Sequence, residues 1–158
     1  MTRTARPVMA KALYTPDILA LAVSLCDWPL SEDLARQAEL RSQSCGSVVR
    51  VGLEPDAAGK IARFGVDARA CALGQASAAV LASHVIGRDR AELVVVRDAL
   101  TAFFGGDSIA LPDWPGIEHL ETALPYPARH GSILLPWRAV VAALDSPAAT
   151  DTHQMENR

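Results

Sequence analysis

Aromatic side chains make up only 5% of the 158 residues, so bulky ring packing cannot build most of the core. Lysine is almost missing: Lys11 and Lys60 are the two present, and arginine carries the positive charge without forming a basic block. The net charge of −3 and a pI near 5.8 leave no electrostatic footprint for a nucleic acid. No run of eighteen apolar residues exists, and with no polybasic cluster this excludes a membrane span or a lipid-surface anchor by the usual signals. Three cysteines, Cys26, Cys45 and Cys71, are too few and too scattered for a disulfide framework, and none forms a C-x-x-C pair. An odd cysteine count with no signal peptide points to a reducing cytoplasm. Residues 1–11 carry Arg3, Arg6 and Lys11 but no apolar stretch, which reads as a frayed terminus rather than a transit peptide.

What is abundant is small apolar surface. Apolar residues are 50% of the chain and alanine supplies much of that, enough for one core with close backbone packing. The length fits one domain, read as 1–145 with a polar tail at 146–158. Thr15-Pro16-Asp17 starts a helix running to about Cys26, with Ile18, Leu19, Ala22 and Leu25 on one face and Cys26 as a small buried residue. The period then becomes two. Ala38 and Leu40, then Val49, Val51 and Leu53, then Ala62, Phe64, Val66 and Ala68 mark the inward positions of three strands. Pro55 to Gly59 supplies a hairpin loop, and an antiparallel sheet with one covered face follows. Helical spacing returns over 72–86, stopped by Gly87. Asp89-Arg90-Ala91-Glu92 is a capping box for a helix ending at Gly105-Gly106. Residues 107–116 read as a loop, 117–124 as one or two helical turns, 126–131 as a second loop, and 132–144 as a last amphipathic helix that tolerates Pro136 only in its first turn. The class is α+β: an N-terminal helix and a three-stranded antiparallel sheet with helices on one face.

Two of the cysteines stand at junctions. Cys45 lies in the small-residue loop Ser42-Gln43-Ser44-Cys45-Gly46 between the first two strands. Cys71 lies between the third strand and the alanine-rich helix. A thiol at a helix N-terminus meets the positive end of the macrodipole, which favours thiolate, the form that binds metal or accepts sulfur. His130 precedes the last helix and can bring an imidazole to the same end. On spacing alone, a pair of small buried filler cysteines and a surface loop histidine is the better reading.

Four segments in order carry a resemblance. Ser44-Cys45-Gly46-Ser47-Val48-Val49-Arg50-Val51 resembles the Cys-Gly-Asp-hydrophobic segment of the IscU/SufU/NifU-type iron–sulfur cluster assembly scaffolds. Phe64 to Ala79, with Cys71 inside it, resembles the family's phenylalanine strand, second cysteine and small-residue helix. Leu13-Tyr14 before a helix matches its opening, and His130-Gly131-Ser132-Ile133-Leu134 resembles its His-Cys-Ser-Ile-Leu segment. The resemblance implies a non-catalytic α+β scaffold of the SufE/NifU-like fold that holds a nascent [2Fe–2S] cluster or zinc, receives sulfur from a cysteine desulfurase and passes the product to apo iron–sulfur client proteins. It places the first and second family cysteines on Cys45 and Cys71 and the family histidine on His130, so these three are the expected metal and cluster ligands. The family aspartate falls on Ser47. The third cysteine falls on Gly131, or on Ser132 if the loop follows the SufU branch. Two thiolates and one imidazole fall short of the four ligands of a binuclear centre, and zinc would be left with an open position. A cluster shared in a homodimer, or glutathione as an outside ligand, would complete the set. A SufE-like sulfur acceptor with a persulfide on Cys45 is the rival reading, and a degenerate member that only docks on partners is a third.

The remaining candidates have bland readings. His84 and His119 read as packed or surface residues, His153 belongs to the tail, and Asp67 and Asp113 read as solvated acids. Arg129 is read equally as a stabiliser of thiolate or persulfide and as surface charge, while Trp114 and Trp137 are expected in packing.

Overall fold

The computed structural model describes residues 13–43 and 46–148. The first helix, α1 (Pro16–Ser24), starts where Thr15 accepts the Ile18 N–H at 3.2 Å through its side chain. It tightens into a 3₁₀ turn at Leu25–Asp27, so Cys26 lies outside the α-helix and is exposed rather than buried. Three strands follow: β1 (Arg36–Arg41), β2 (Val48–Pro55) and β3 (Ile61–Arg69), antiparallel in the order β1-β2-β3. Val49, Val51 and Leu53 are fully buried, as alternation requires.

Alternation fails at one point. Ala62 is exposed and Ile61 is buried, because the register shifts between Glu54 and Pro55 and sets Pro55 opposite Ile61. One extra residue at the bulge turns the start of β3 over.

Two helices, α2 (Ala72–His84) and α4 (His130–Asp145), cover one face, and α3 (Arg90–Phe104) packs on α4. Asp89 caps α3 by accepting the Glu92 N–H at 2.9 Å. Helix α4 packs on β1, β2, α2 and α3, and α1 packs along α2. The stretch 117–123 is a 3₁₀ helix, and a second short one, Pro127–Arg129, runs directly into α4. Helix α4 therefore starts two residues earlier than its sequence pattern suggests, and Pro136 lies in its second turn. Pro136 has no N–H to offer the Ser132 carbonyl, so the helix is short of one bond there. Arg36 donates to the Leu144 and Ser146 carbonyls at 3.0 and 2.8 Å, tying β1 to the end of α4.

The second sheet face is not bare. Residues 29–34 cross it over the paired Gly52 and Gly65. A Cβ at Gly65 would run into the Pro29 carbonyl and come 2.9 Å from the Leu30 Cα. Backbone cannot yield there as a flexible side chain would. Gly65→Ala should therefore destabilise the fold by about 1–3 kcal/mol, the usual cost of overpacking. Urea unfolding checks this, and an unchanged midpoint would refute the close approach. Among the described residues no helix is long and apolar enough to cross a membrane.

Candidate metal and sulfur site

Three elements end together at one edge of the sheet. The last pair of the β2–β3 ladder joins Val48 to Arg69, so the residues just before β2 lie beside those just after β3. Cys71 follows as the N-cap of α2, half-buried, and its side chain makes no capping bond. The carbonyl of Cys71 accepts the Gln75 N–H at 3.0 Å. Helix α4 brings Ser132 to the same place.

There Cys71 Sγ lies 3.6 Å from Ser132 Oγ, and Ser47 Oγ donates to Ser132 Oγ at 3.4 Å. Both serines are buried, at 5% and 1% exposure. Two ligand sulfurs on tetrahedral zinc, each about 2.3 Å from the metal, stand about 3.8 Å apart. The spacing of Cys71 and Ser132 is thus close to the edge of a tetrahedral site. Glycine makes this approach feasible: a Cβ at Gly74 would strike Ser132 Oγ and come 2.7 Å from the Ala70 Cβ. One turn further along, Ser77 Oγ donates to the Ile133 carbonyl at 2.6 Å and accepts the Trp137 indole N–H at 2.9 Å. Those two bonds lock α4 on α2 and hold Ser132 opposite Cys71.

The other expected ligands fall as follows. Cys45, with Ser44, lies outside the described residues. It is two residues from Ser47, and the surrounding loop closes through Ser42 N–H donating to the Ser47 carbonyl at 2.8 Å. His130 is the first residue of α4. Its Nε2 donates to the carbonyls of Ala123 and Leu124 at 2.9 and 3.2 Å, and its ring rests on Phe104 at 4.7 Å. No described contact links it to Cys71. Among the described residues, no three His, Cys, Asp or Glu side chains are grouped to hold a metal ion.

The remaining residues behave mostly as the bland readings hold. His84 is exposed beside Ser83, and His119 lies 3.8 Å from Asp17. Asp67 pairs with Arg69, and Asp113 is exposed. Trp114 and Trp137 are buried edge to face, 5.1 Å apart. Gly74 and Ser77 carry the geometry but were not legible as site residues, since small residues in an alanine-rich helix give no chemical signal.

The chain is similar to the crystal structure of a nitrogen-fixing NifU-like protein (N-terminal) from Brucella abortus. The two share 32% sequence identity over 87% of this chain and 95% of that one, with a TM-score of 0.79. The chain belongs to the NifU-like family. The iron–sulfur cluster assembly scaffold assigned to the SUF system of Fervidobacterium islandicum has the same fold, with 23% identity over 85% of this chain and 98% of that one and a TM-score of 0.74. No protein-family model and no curated protein matches the sequence. The expected architecture of an N-terminal helix, a three-stranded antiparallel sheet and packed helices is the one observed.

Within this NifU-like fold, the positions that the resemblance gives to the family's aspartate, second cysteine and third cysteine are Ser47, Cys71 and, on the SufU alignment, Ser132. These three meet. Gly131 instead lines an outer groove. Two of the three side chains at this meeting point are hydroxyls and one is a thiol.

Proposed function

We propose that this chain is an iron–sulfur cluster assembly protein that carries its cargo on Cys45 and Cys71. Iron, or zinc in its place, binds the two thiolates. Sulfur comes from a cysteine desulfurase, and the cluster passes to apo iron–sulfur proteins. The role is to hold and hand on, not to catalyse. The observation that carries this reading is the meeting of Ser47, Cys71 and Ser132 at one point, 3.4 and 3.6 Å apart.

Neutral hydroxyls donate far less charge to iron than thiolates do, so one copy of the chain supplies a short ligand set. A second copy or an outside thiol closes it. His130 is available to the cargo only if its Nδ1 turns toward the thiolates or its carbonyl bonds are given up. The test is metal content after anaerobic reconstitution with iron and sulfide, and separately with zinc. Wild type should retain metal, and Cys45→Ser and Cys71→Ser should each lose it, because thiolates supply most of the affinity. Full metal content in both variants would refute the assignment.

The two serines favour a second reading, as a sulfur acceptor. A Cys45 thiolate would attack the outer sulfur of the desulfurase persulfide. A new S–S bond forms on Cys45, and the desulfurase cysteine leaves as thiolate. This needs one nucleophile and no ligand set. A persulfide mass shift on Cys45 in a chain that retains no metal would select it.

A further inference from the structure

We infer that two copies of this chain pair edge to edge through β1, joining their three-stranded sheets into one of six strands. The two edges of the sheet are covered unequally. At β3, the Trp28 carbonyl accepts the Val66 N–H at 3.0 Å, the Arg88 carbonyl accepts the Ile61 N–H at 2.9 Å, and the Gly87 N–H donates to the Ile61 carbonyl at 2.8 Å. Strand β1 has no such cover among the described residues.

The register identifies the open groups. Ser42 donates its N–H to the Ser47 carbonyl at 2.8 Å, and the same ladder runs back through Leu40 with Val49, Ala38 with Val51 and Arg36 with Leu53. In an antiparallel ladder the alternate residues turn their N–H and C=O the other way. Gln37, Glu39 and Arg41 therefore direct theirs away from β2, and no backbone group of the described residues meets them. Helix α4 packs on the inner face of β1 and β2 and supplies no hydrogen bond to this edge.

Proteins blunt open edges with proline, a bulge, a covering segment or charge. Strand β1 contains no proline and pairs with β2 without a register shift. Its outward charges, Glu39 and Arg41, are of opposite sign, and they select a second copy as the partner. With the two strands antiparallel about an axis at Leu40, Glu39 stands opposite the partner's Arg41, and Arg41 opposite the partner's Glu39. Each pair exchanges both backbone bonds, and the two Leu40 side chains meet on the inner face. Leu40 is only half-buried in the single chain, so pairing covers apolar surface. A slip of two residues either way sets Glu39 against Glu39 or Arg41 against Arg41, and a slip of one turns the wrong groups to the edge. Ser42 then falls opposite the partner's Ala38, so the loops after β1 leave at opposite ends and the two thiol sites stay apart.

The test uses the full chain, reduced and freed of metal, so that no shared ion can join two copies. Sedimentation over a concentration series should show a monomer–dimer equilibrium. Glu39→Arg and Arg41→Glu each set like charges opposite one another, and each acts twice in a symmetric pair. Each should weaken the dimer by about tenfold or more. The double variant Glu39→Arg/Arg41→Glu restores both pairs with the signs exchanged and should recover most of the wild-type affinity. The Glu39 contacts to Arg41 at 3.5 Å and Arg50 at 3.4 Å are surface ion pairs, so the variants should melt close to the parent. Hydrogen exchange at the Glu39 and Arg41 amides should slow as the concentration rises. A chain that stays monomeric up to millimolar concentration would overturn the inference. So would a dimer that neither single variant weakens, or a double variant no better than the singles. Slow exchange of those two amides in the monomer would overturn it as well, by showing that a segment of the same chain covers the edge.

Discussion

Ser132→Cys should raise zinc affinity, and lengthen the lifetime of a reconstituted cluster, by at least about tenfold, the lower end of what even a supporting residue contributes to a metal site. The replaced oxygen already lies 3.6 Å from Cys71 Sγ, near the separation of two thiolates on one metal. The side chain is 1% exposed, so the new thiol cannot escape to solvent and would displace water or chelator from an open position. Sulfur is larger than oxygen, and Gly74 leaves no spare room, so a small loss of stability accompanies the gain. Gly131→Cys provides the control. Gly131 lines the outer groove rather than the contact with Cys71, so this change should alter cluster lifetime much less. Competition with a chromophoric chelator measures the first quantity, and decay of the visible cluster absorption measures the second. A gain in Gly131→Cys with none in Ser132→Cys would place the lost ligand one residue earlier.

The choice between those two positions was open in the sequence because a run of His-Gly-Ser aligns either way. Packing separates the two: α4 begins at His130, so residue 132 falls on the stripe that faces α2 and residue 131 on the next one round. The strands were legible because one face of the sheet is buried and period two is then enforced residue by residue, as at Val49, Val51 and Leu53. The start of β3 was not, because a bulge exchanges the faces of Ile61 and Ala62 without altering composition. Pro136 misplaced the start of α4 for a similar reason. A proline inside a helix costs one bond and a clash, and here the surrounding packing overrides that local preference. The crossing of residues 29–34 over the sheet leaves only two glycines, Gly52 and Gly65, as its trace. Neither the side-chain bonds of His130 nor the close approach of Ser132 to Gly74 has any counterpart in spacing.

Trp137→Ala should cost about 3–5 kcal/mol, the range for deleting a large buried aromatic. That is a large part of the 5–15 kcal/mol that holds a domain of this kind together, and it should lower the melting temperature by roughly 6–20 °C. Trp137 is fully buried, stands edge-on to Trp114, and donates its indole N–H to Ser77. Ser77 in turn donates to the Ile133 carbonyl, next to Ser132. Truncation therefore removes the core contact and one of the two bonds that fix α4 on α2. Trp137→Phe separates them: it keeps most of the volume and the edge-to-face contact, and should lose only about 1 kcal/mol for the missing hydrogen bond. The consequence for function follows from where the damage lies. With α4 free to shift against α2, Ser132 no longer holds its distance from Cys71, and metal retention should fall in Trp137→Ala at temperatures where the protein is still folded. In the Ser132→Cys background the same truncation should erase the added affinity, since a third thiolate helps only when its helix is held in place. Zinc competition and thermal melts on the four proteins check both statements. A Trp137→Ala chain that melts at the wild-type temperature, or one that keeps the full gain from Ser132→Cys, would show that this tryptophan does not position the site.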